Sequence, residues 1–306
     1  MTAEALVNGA LLGGLYALVA LGLSLVFGIM RVVNLAHGII VIAGAYFAIV
    51  ITRQVPVDPL LTFLVVGPAI FLIAALTQRL LLQRLIGQSL EAPLVATFGL
   101  LLVGQGLFTY VFGTSPLSMS APWAQNSISV FGMSILTVNM VAFALAVAVI
   151  IATQLVLTRT RFGAALRASA SDPETASTLG VNINKMHALT FGIAASIAAL
   201  AGIVYGTGLS VNPNDALPML VLGFTVVVMG GVGNVPGTLV GGVLVGVVAA
   251  AVGGLIGPVY SPIAVNVLLL ILLLVRPRGL FVRTTPRKPK TPAVTPNAAT
   301  PAEVAA

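Results

Sequence analysis

ALVNGALLGGLYALVALGLSLVFGI, residues 5–29, contains no Asp, Glu, Lys or Arg. An apolar stretch longer than about 18 residues has the length of a helix that crosses a lipid bilayer. Further apolar runs follow at 37–52, 59–76, 92–113, 135–157, 188–210, 216–230, 236–256 and 260–276. The runs at 37–52 and 216–230 are short for a full crossing and read equally as broken or re-entrant helices. Nine spans are expected, with eight as the rival count. The expected fold is therefore an all-α polytopic membrane protein.

Composition agrees. Of 306 residues, 58% are hydrophobic and 7% charged, and the mean hydropathy is +1.12. Soluble domains average about 45–50% apolar and about 25% charged residues. This chain cannot cover itself with polar surface, so lipid is its solvent. The absence of cysteine excludes disulfides, thiolate chemistry and sulfur metal sites. The two histidines, His37 and His187, are far apart in sequence, so neither a metal site nor a cofactor is expected. The segment before the first run lacks the basic region of a signal peptide, Glu4 being the only charged side chain ahead of Arg31.

The net charge of +7 reports orientation, not nucleic-acid binding. With the N-terminus outside and nine alternating spans, thirteen of the fourteen Lys and Arg residues fall inside and only Arg53 falls outside. The positive-inside rule favours that arrangement and places the C-terminus in the cytoplasm. Residues 1–283 read as one transmembrane domain. Residues 284–306, with five prolines among Thr and Ala, lack the material of a packed core and read as a disordered cytoplasmic tail.

Glycine is patterned in GGVGNVPGTLVGG, where Gly233, Gly237 and Gly241 recur every four residues. Small residues on one helix face let backbones approach closely in lipid, so these three are assigned to helix packing.

The missing chemistry is informative. Apart from Arg276, which ends the last of them, the apolar runs contain no formal charge, whereas proton-coupled carriers keep ionisable relays within the membrane. A phosphate-binding GxxxxGK[ST] loop needs a Gly-Lys pair, and the three lysines follow Asn184, Arg287 and Pro289. Any ATP hydrolysis must occur on other chains. No catalytic residue is assigned, and the chain reads as a transport subunit without enzymatic activity. Ser24, Gln105, Asn139 and Asn266 are the polar groups that stand out within the runs. Each can bond a neighbouring helix or line a pathway. Gln105 and Asn266 are carried as pathway candidates, Gln105 foremost because Gly104 and Gly106 flank it. Between the first two runs, Asn34 and His37 are candidates for helix-end hydrogen bonding or a cytoplasmic gate.

The charge that remains gathers in TRTRFGAALRASASDPETASTLGVN, residues 158–182, which holds five of the chain's 21 charged residues. RFGAALRASA can form two to three helical turns, with Phe162, Ala165, Leu166 and Ser169 near one face. Asp172 can cap a second short helix that Pro173 opens and Glu174 favours, and Gly180 suits its end. Ala164, Ala168 and Ala176 would allow close docking. These residues by themselves leave an ordinary solvated loop and a docking element equally open.

The pattern Gly163, Arg167, Ala168, Ala176, Gly180 resembles the cytoplasmic coupling loop of ABC-importer permeases. Three more segments agree in order: FGIMRVVNLAHGIIVIAGAY (27–46), VVVMGGVGNVPGTLVGG (226–242) and RPRGLF (276–281). Together they are similar to the branched-chain amino acid permease family, in its LivH-type branch. The tail and Arg278, where the family often has Gln, depart from its pattern. The resemblance implies a bacterial inner-membrane importer for branched-chain or related apolar amino acids. Its implied partners are a LivM-type second permease, two cytoplasmic ATPase subunits and an extracytoplasmic solute-binding protein. Gly163–Gly180, with Asp172 and Glu174, would meet the ATPases. Permeases for urea, short amides or sugars share the superfamily, and a self-contained channel or secondary transporter is the rival class.

Overall fold

The computed structural model describes residues 3–86, 88–89, 91–130 and 132–276; the tail expected over 284–306 lies outside them. Eleven α-helices follow in order: α1 (Ala3–Met30), α2 (His37–Gln54), α3 (Phe63–Leu80), α4 (Glu91–Phe112), α5 (Thr137–Arg159), α6 (Arg161–Ser171), α7 (Pro173–Thr178), α8 (Ile183–Gly208), α9 (Ala216–Gly230), α10 (Val235–Leu255) and α11 (Ser261–Val275). Nine helical segments among the described residues are long and apolar enough to cross a membrane; α6 and α7 are the two helices outside that set. Each expected span is matched, some with an added turn. Charged residues lie near their ends, as with Glu4, Arg53, Arg79 and Arg159.

α1 and α8 form the centre. α1 packs most extensively on α10 and also meets α5, α8 and α9, while α2 and α3 both lean on α8. α4, α5 and α11 sit outside and expose Val103, Leu107, Ile151, Leu155, Ile271 and Leu274. Such side chains are at home against acyl chains, which is why these helices need little burial.

Glycines set the closest contact. A Cβ on Gly13 would lie 2.5 Å from the Gly242 carbonyl oxygen and 2.6 Å from Val243 Cα. A Cβ on Gly246 would lie 2.8 Å from Gly13 N. A methyl group cannot enter this seam without parting α1 from α10. Gly241 does the same work between α10 and α9, where its Cβ would meet Val226 O at 2.7 Å and Gly230 N at 2.9 Å.

One glycine differs from expectation. Gly233 is not on a helix face, because α10 begins only at Val235. Asn234 caps that helix, its Oδ1 accepting from Gly237 N at 3.2 Å, and Gly233 lies in the connection with φ +74°. The four-residue spacing thus spans a turn and a helix start. A Cβ there would also lie 3.1 Å from Gly28 Cα of α1, so close packing and a positive φ both call for glycine.

The short spans have a shared geometry. His37, the first residue of α2, lies against Val19 and Gly22 of α1. Val19 is about 16 Å along the helix from Met30, so residues 31–36 climb back into the bundle before α2 starts. From the other side, residues 209–215 descend before α9 starts. The two starts meet: a Cβ on Gly38 would collide with the Ala216 carbonyl and lie 3.1 Å from Leu220 N. α2 and α9 are therefore helices that begin part-way through the bundle, head to head and running in opposite directions.

Irregular backbone at that depth needs partners. Leu35 N donates to Thr97 Oγ1 at 3.2 Å, and Ala36 N to Asn34 Oδ1 at 3.1 Å. Val211 exchanges hydrogen bonds with Leu117, at 2.7 and 3.0 Å. Asn212 and Asp215 form a reciprocal capping box before α9. On this second face lies a small antiparallel hairpin, β1 (Ser127–Val130) with β2 (Met133–Leu136), pinned to α1 where Asn8 Nδ2 donates to Ser134 O at 2.9 Å.

Candidate functional site

α6 and α7 project from the opposite face, beside the ends of α1, α5 and α10. Thr160 stops α5 and caps α6, its Oγ1 accepting from Gly163 N at 3.0 Å. Gly163 is required by a close approach, since a Cβ there would run into the carbonyls of Val156 and Leu157. Leu166 and Ser169 turn inward, leaving Ala164, Arg167, Ala168 and Ser171 exposed. Arg31, at the end of α1, reaches across to the Ala170 carbonyl at 3.0 Å and holds the last turn of α6.

Asp172 links the two helices. Its Oδ2 accepts from Thr175 Oγ1 at 2.6 Å and its Oδ1 from Thr175 N at 3.1 Å. These bonds, the hydroxyl's first, hold the carboxyl below the usual carboxylate range, so the cap stays ionised at neutral pH. Its contribution is complete above the unfolded-state pKa and is lost as pH falls through the depressed folded value. At the far end Gly180 N donates to Ser177 O and Val181 N to Ala176 O, both at 3.0 Å, with Gly180 at φ +87°. This is a Schellman ending, which needs the left-handed residue that glycine supplies.

Ala176 differs from expectation. It is buried and packs beneath α7, so the small side chains open to a partner are Ala164 and Ala168. Leu179 was not singled out in the sequence, yet it is 79% exposed on a polar surface. A lone leucine is no signal in so apolar a chain; only the flanking Asp172 cap and Gly180 stop, which place it outside the bundle, could have marked it. Glu174 is exposed in the first turn of α7.

The pathway candidates do not converge. Asn34 and His37 are together at the start of α2, both buried. Instead of bonding at its own helix end, His37 places Nε2 2.7 Å from the Val19 carbonyl of α1. Gly22 makes room for the ring, as its Cβ would lie 2.8 Å from His37 Cε1. His37 thus tethers two helices and has almost no exposed surface with which to gate anything. Gln105 Nε2 donates to Asn214 Oδ1 at 2.7 Å, joining α4 to the connection before α9. Of its flanking glycines only Gly106 is open; Gly104 is filled by Ile39. Asn266 is exposed on the outer face of α11 and makes no hydrogen bond among the described residues. Asn139 lies 3.5 Å from Asn8 and belongs to the packing of α5 on α1.

A lipid-facing bundle with a charge-poor interior, two helices that start at mid-depth and a capped helix pair on one face define a multi-pass membrane permease. Residues 5–276 match the family described as branched-chain amino acid transport system, permease component. The chain belongs to that family. It is 30% identical over 252 residues to the high-affinity branched-chain amino acid transport system permease protein BraD of Pseudomonas aeruginosa, covering 78% of this chain and 82% of that one. The corresponding LivH protein of Escherichia coli is 29% identical over 254 residues, covering 77% and 80%. A probable LivH of Methanocaldococcus jannaschii is 28% identical over 246 residues, covering 78% and 77%.

Proposed function

We propose that this permease moves branched-chain or related apolar amino acids inward across a bacterial inner membrane, as half of the translocation pathway of an ABC importer. The observation that carries the coupling is the α6–α7 pair: two short, individually capped helices present Ala164, Ala168 and Leu179 outside the bundle. In this reading Gly163–Gly180 docks on ATPase subunits, which supply the energy that this chain has no phosphate-binding loop to harvest. A LivM-type permease completes the pathway and an extracytoplasmic binding protein delivers the cargo. The chain performs no chemistry of its own. Residues 1–283 form the permease domain, and 284–306 are a cytoplasmic tail.

A zwitterion with an aliphatic side chain suits this interior. Its charged ends need helix termini, hydroxyls and amides, whereas a fixed charge midway would be costly when unoccupied. The test is uptake of labelled leucine, urea and ribose in a deletion strain complemented with the complete operon. Leucine uptake is expected. Uptake of urea or ribose without leucine would refute the cargo and leave the importer class standing.

Orientation has its own test, which the absence of native cysteine makes simple. Ser118 and Ser171 are both exposed, on opposite faces. A cysteine at Ser118 is expected to react with an impermeant maleimide in intact cells, and one at Ser171 only after lysis. Labelling of Ser171 from outside reverses the topology.

A further inference from the structure

A cavity of about 820 Å³ opens beside the α6–α7 face, between α1, α5, α6 and the start of α10. Ser24 walls its inner end, Gln154 and Thr158 come from α5, and Arg167 from α6. The connection before α10 and the first turn of that helix complete it. Among the described residues no Asp or Glu lines it, and Arg167 contributes the one formal charge. The 21-residue α10 adds the positive end of its dipole, which favours an anion there. Gly231 and Gly233, at φ +86° and +74°, let the connection wrap closely around that end.

Ser24 supplies the independent observation. It is fully buried, and its Oγ has no hydrogen-bond partner among the described residues. A serine inside a helix usually donates to the carbonyl four residues back. Thr52, Thr77, Thr158 and Thr190 all do so in this chain, at 2.7–3.0 Å. Ser24 does not, and a buried hydroxyl without an acceptor is a standing cost in lipid as in water. An acceptor atom at the inner end of the cavity would relieve it.

We propose that this cavity is a binding site for a small oxyanion, a carboxylate or a phosphate. Ser24 Oγ donates to it at the inner end, while Arg167 and the α10 N-terminus balance its charge. The occupant bridges α6 to the start of α10. The site depends on this chain's residues alone. Any effect of occupancy on ATPase coupling rests on the docking role proposed for α6, and the binding test below does not.

The full-length chain in phosphatidylcholine nanodiscs is titrated with sodium phosphate or sodium isovalerate against sodium chloride at constant ionic strength, and its melting midpoint followed. A saturable rise with at least one of the two is expected. Arg167→Gln should weaken the apparent affinity by about tenfold or more, the scale of a lost charge-assisted hydrogen bond. Ser24→Ala should raise the midpoint without ligand and shrink the ligand-dependent rise, opposite signs that simple damage to the fold does not produce. Lys185→Gln, on the exposed first turn of α8, should respond like the parent. Discs doped with phosphatidylglycerol separate the sources. If they raise the midpoint without free anion and abolish the titration, the occupant is a lipid headgroup and the site stands. No saturable response to phosphate, isovalerate or phosphatidylglycerol overturns the proposal. So does a response in Arg167→Gln or Ser24→Ala equal to the parent's.

Discussion

Gly242→Val is expected to prevent α1 and α10 from closing on each other. A Cβ at this position would lie 2.8 Å from both Ala17 N and Ala17 Cβ, besides meeting the Gly13 carbonyl. None of these atoms is the end of a flexible side chain that could swing away. Relief requires the two helices to separate along the most extensive contact in the bundle. Overpacking costs about 1–3 kcal/mol where a core can adjust, and this seam should fall at or beyond the upper end. The matched control is Gly106→Ala, where nothing lies within 4 Å of the added methyl. It should be neutral, or gain up to about 1 kcal/mol from the lower entropy of the unfolded chain. Thermal unfolding in detergent distinguishes them; equal midpoints for the two variants would contradict the glycine seam.

The second large effect is expected on coupling, with stability unchanged. Ala168 is exposed near the end of α6, and a basic side chain there agrees with the helix dipole. Ala168→Arg should therefore leave the permease itself within about 0.5 kcal/mol of the parent. Against a docked ATPase, however, the long side chain would occupy the space that a methyl leaves open. Leucine uptake should fall by about tenfold or more, on the scale of a lost interface anchor. Stimulation of ATP hydrolysis by the binding protein should be lost, with the amount of inserted subunit unchanged. Normal uptake with normal stimulation would remove α6 from the coupling interface.

Much of this architecture could be read from the chain because lipid imposes strong rules on local sequence. A run without charge must be a helix, and a helix end outside the bilayer must cap itself with nearby residues. The Asp172-Pro173 start and the Gly180 stop of α7 were legible for that reason. The depth at which α2 and α9 begin was not, beyond their shortness. Depth is fixed by partners remote in sequence, Thr97 for Leu35 and Leu117 for Val211, to which hydropathy is blind. The same limit hid the His37 tether, since a ring nitrogen bonding a carbonyl in mid-helix leaves no trace in spacing. Ala176 was misplaced for a related reason. Small residues allow close approach, but their own identity does not say from which side the approach comes.

The distant partners of the two re-entrant connections also bear on biogenesis. Residues 31–36 leave the ribosome well before Thr97, so the backbone amide of Leu35 has no Thr97 hydroxyl to meet when α2 first enters the membrane. Residues 209–215, by contrast, emerge after Leu117 and find their acceptor already made. The early half of the chain must wait, with Leu35 N still drawing on water or the translocon, until α4 arrives. The later half can settle as it is synthesised. Two connections that look alike in the finished bundle thus have opposite histories, and the vulnerable interval falls between the insertion of α2 and that of α4.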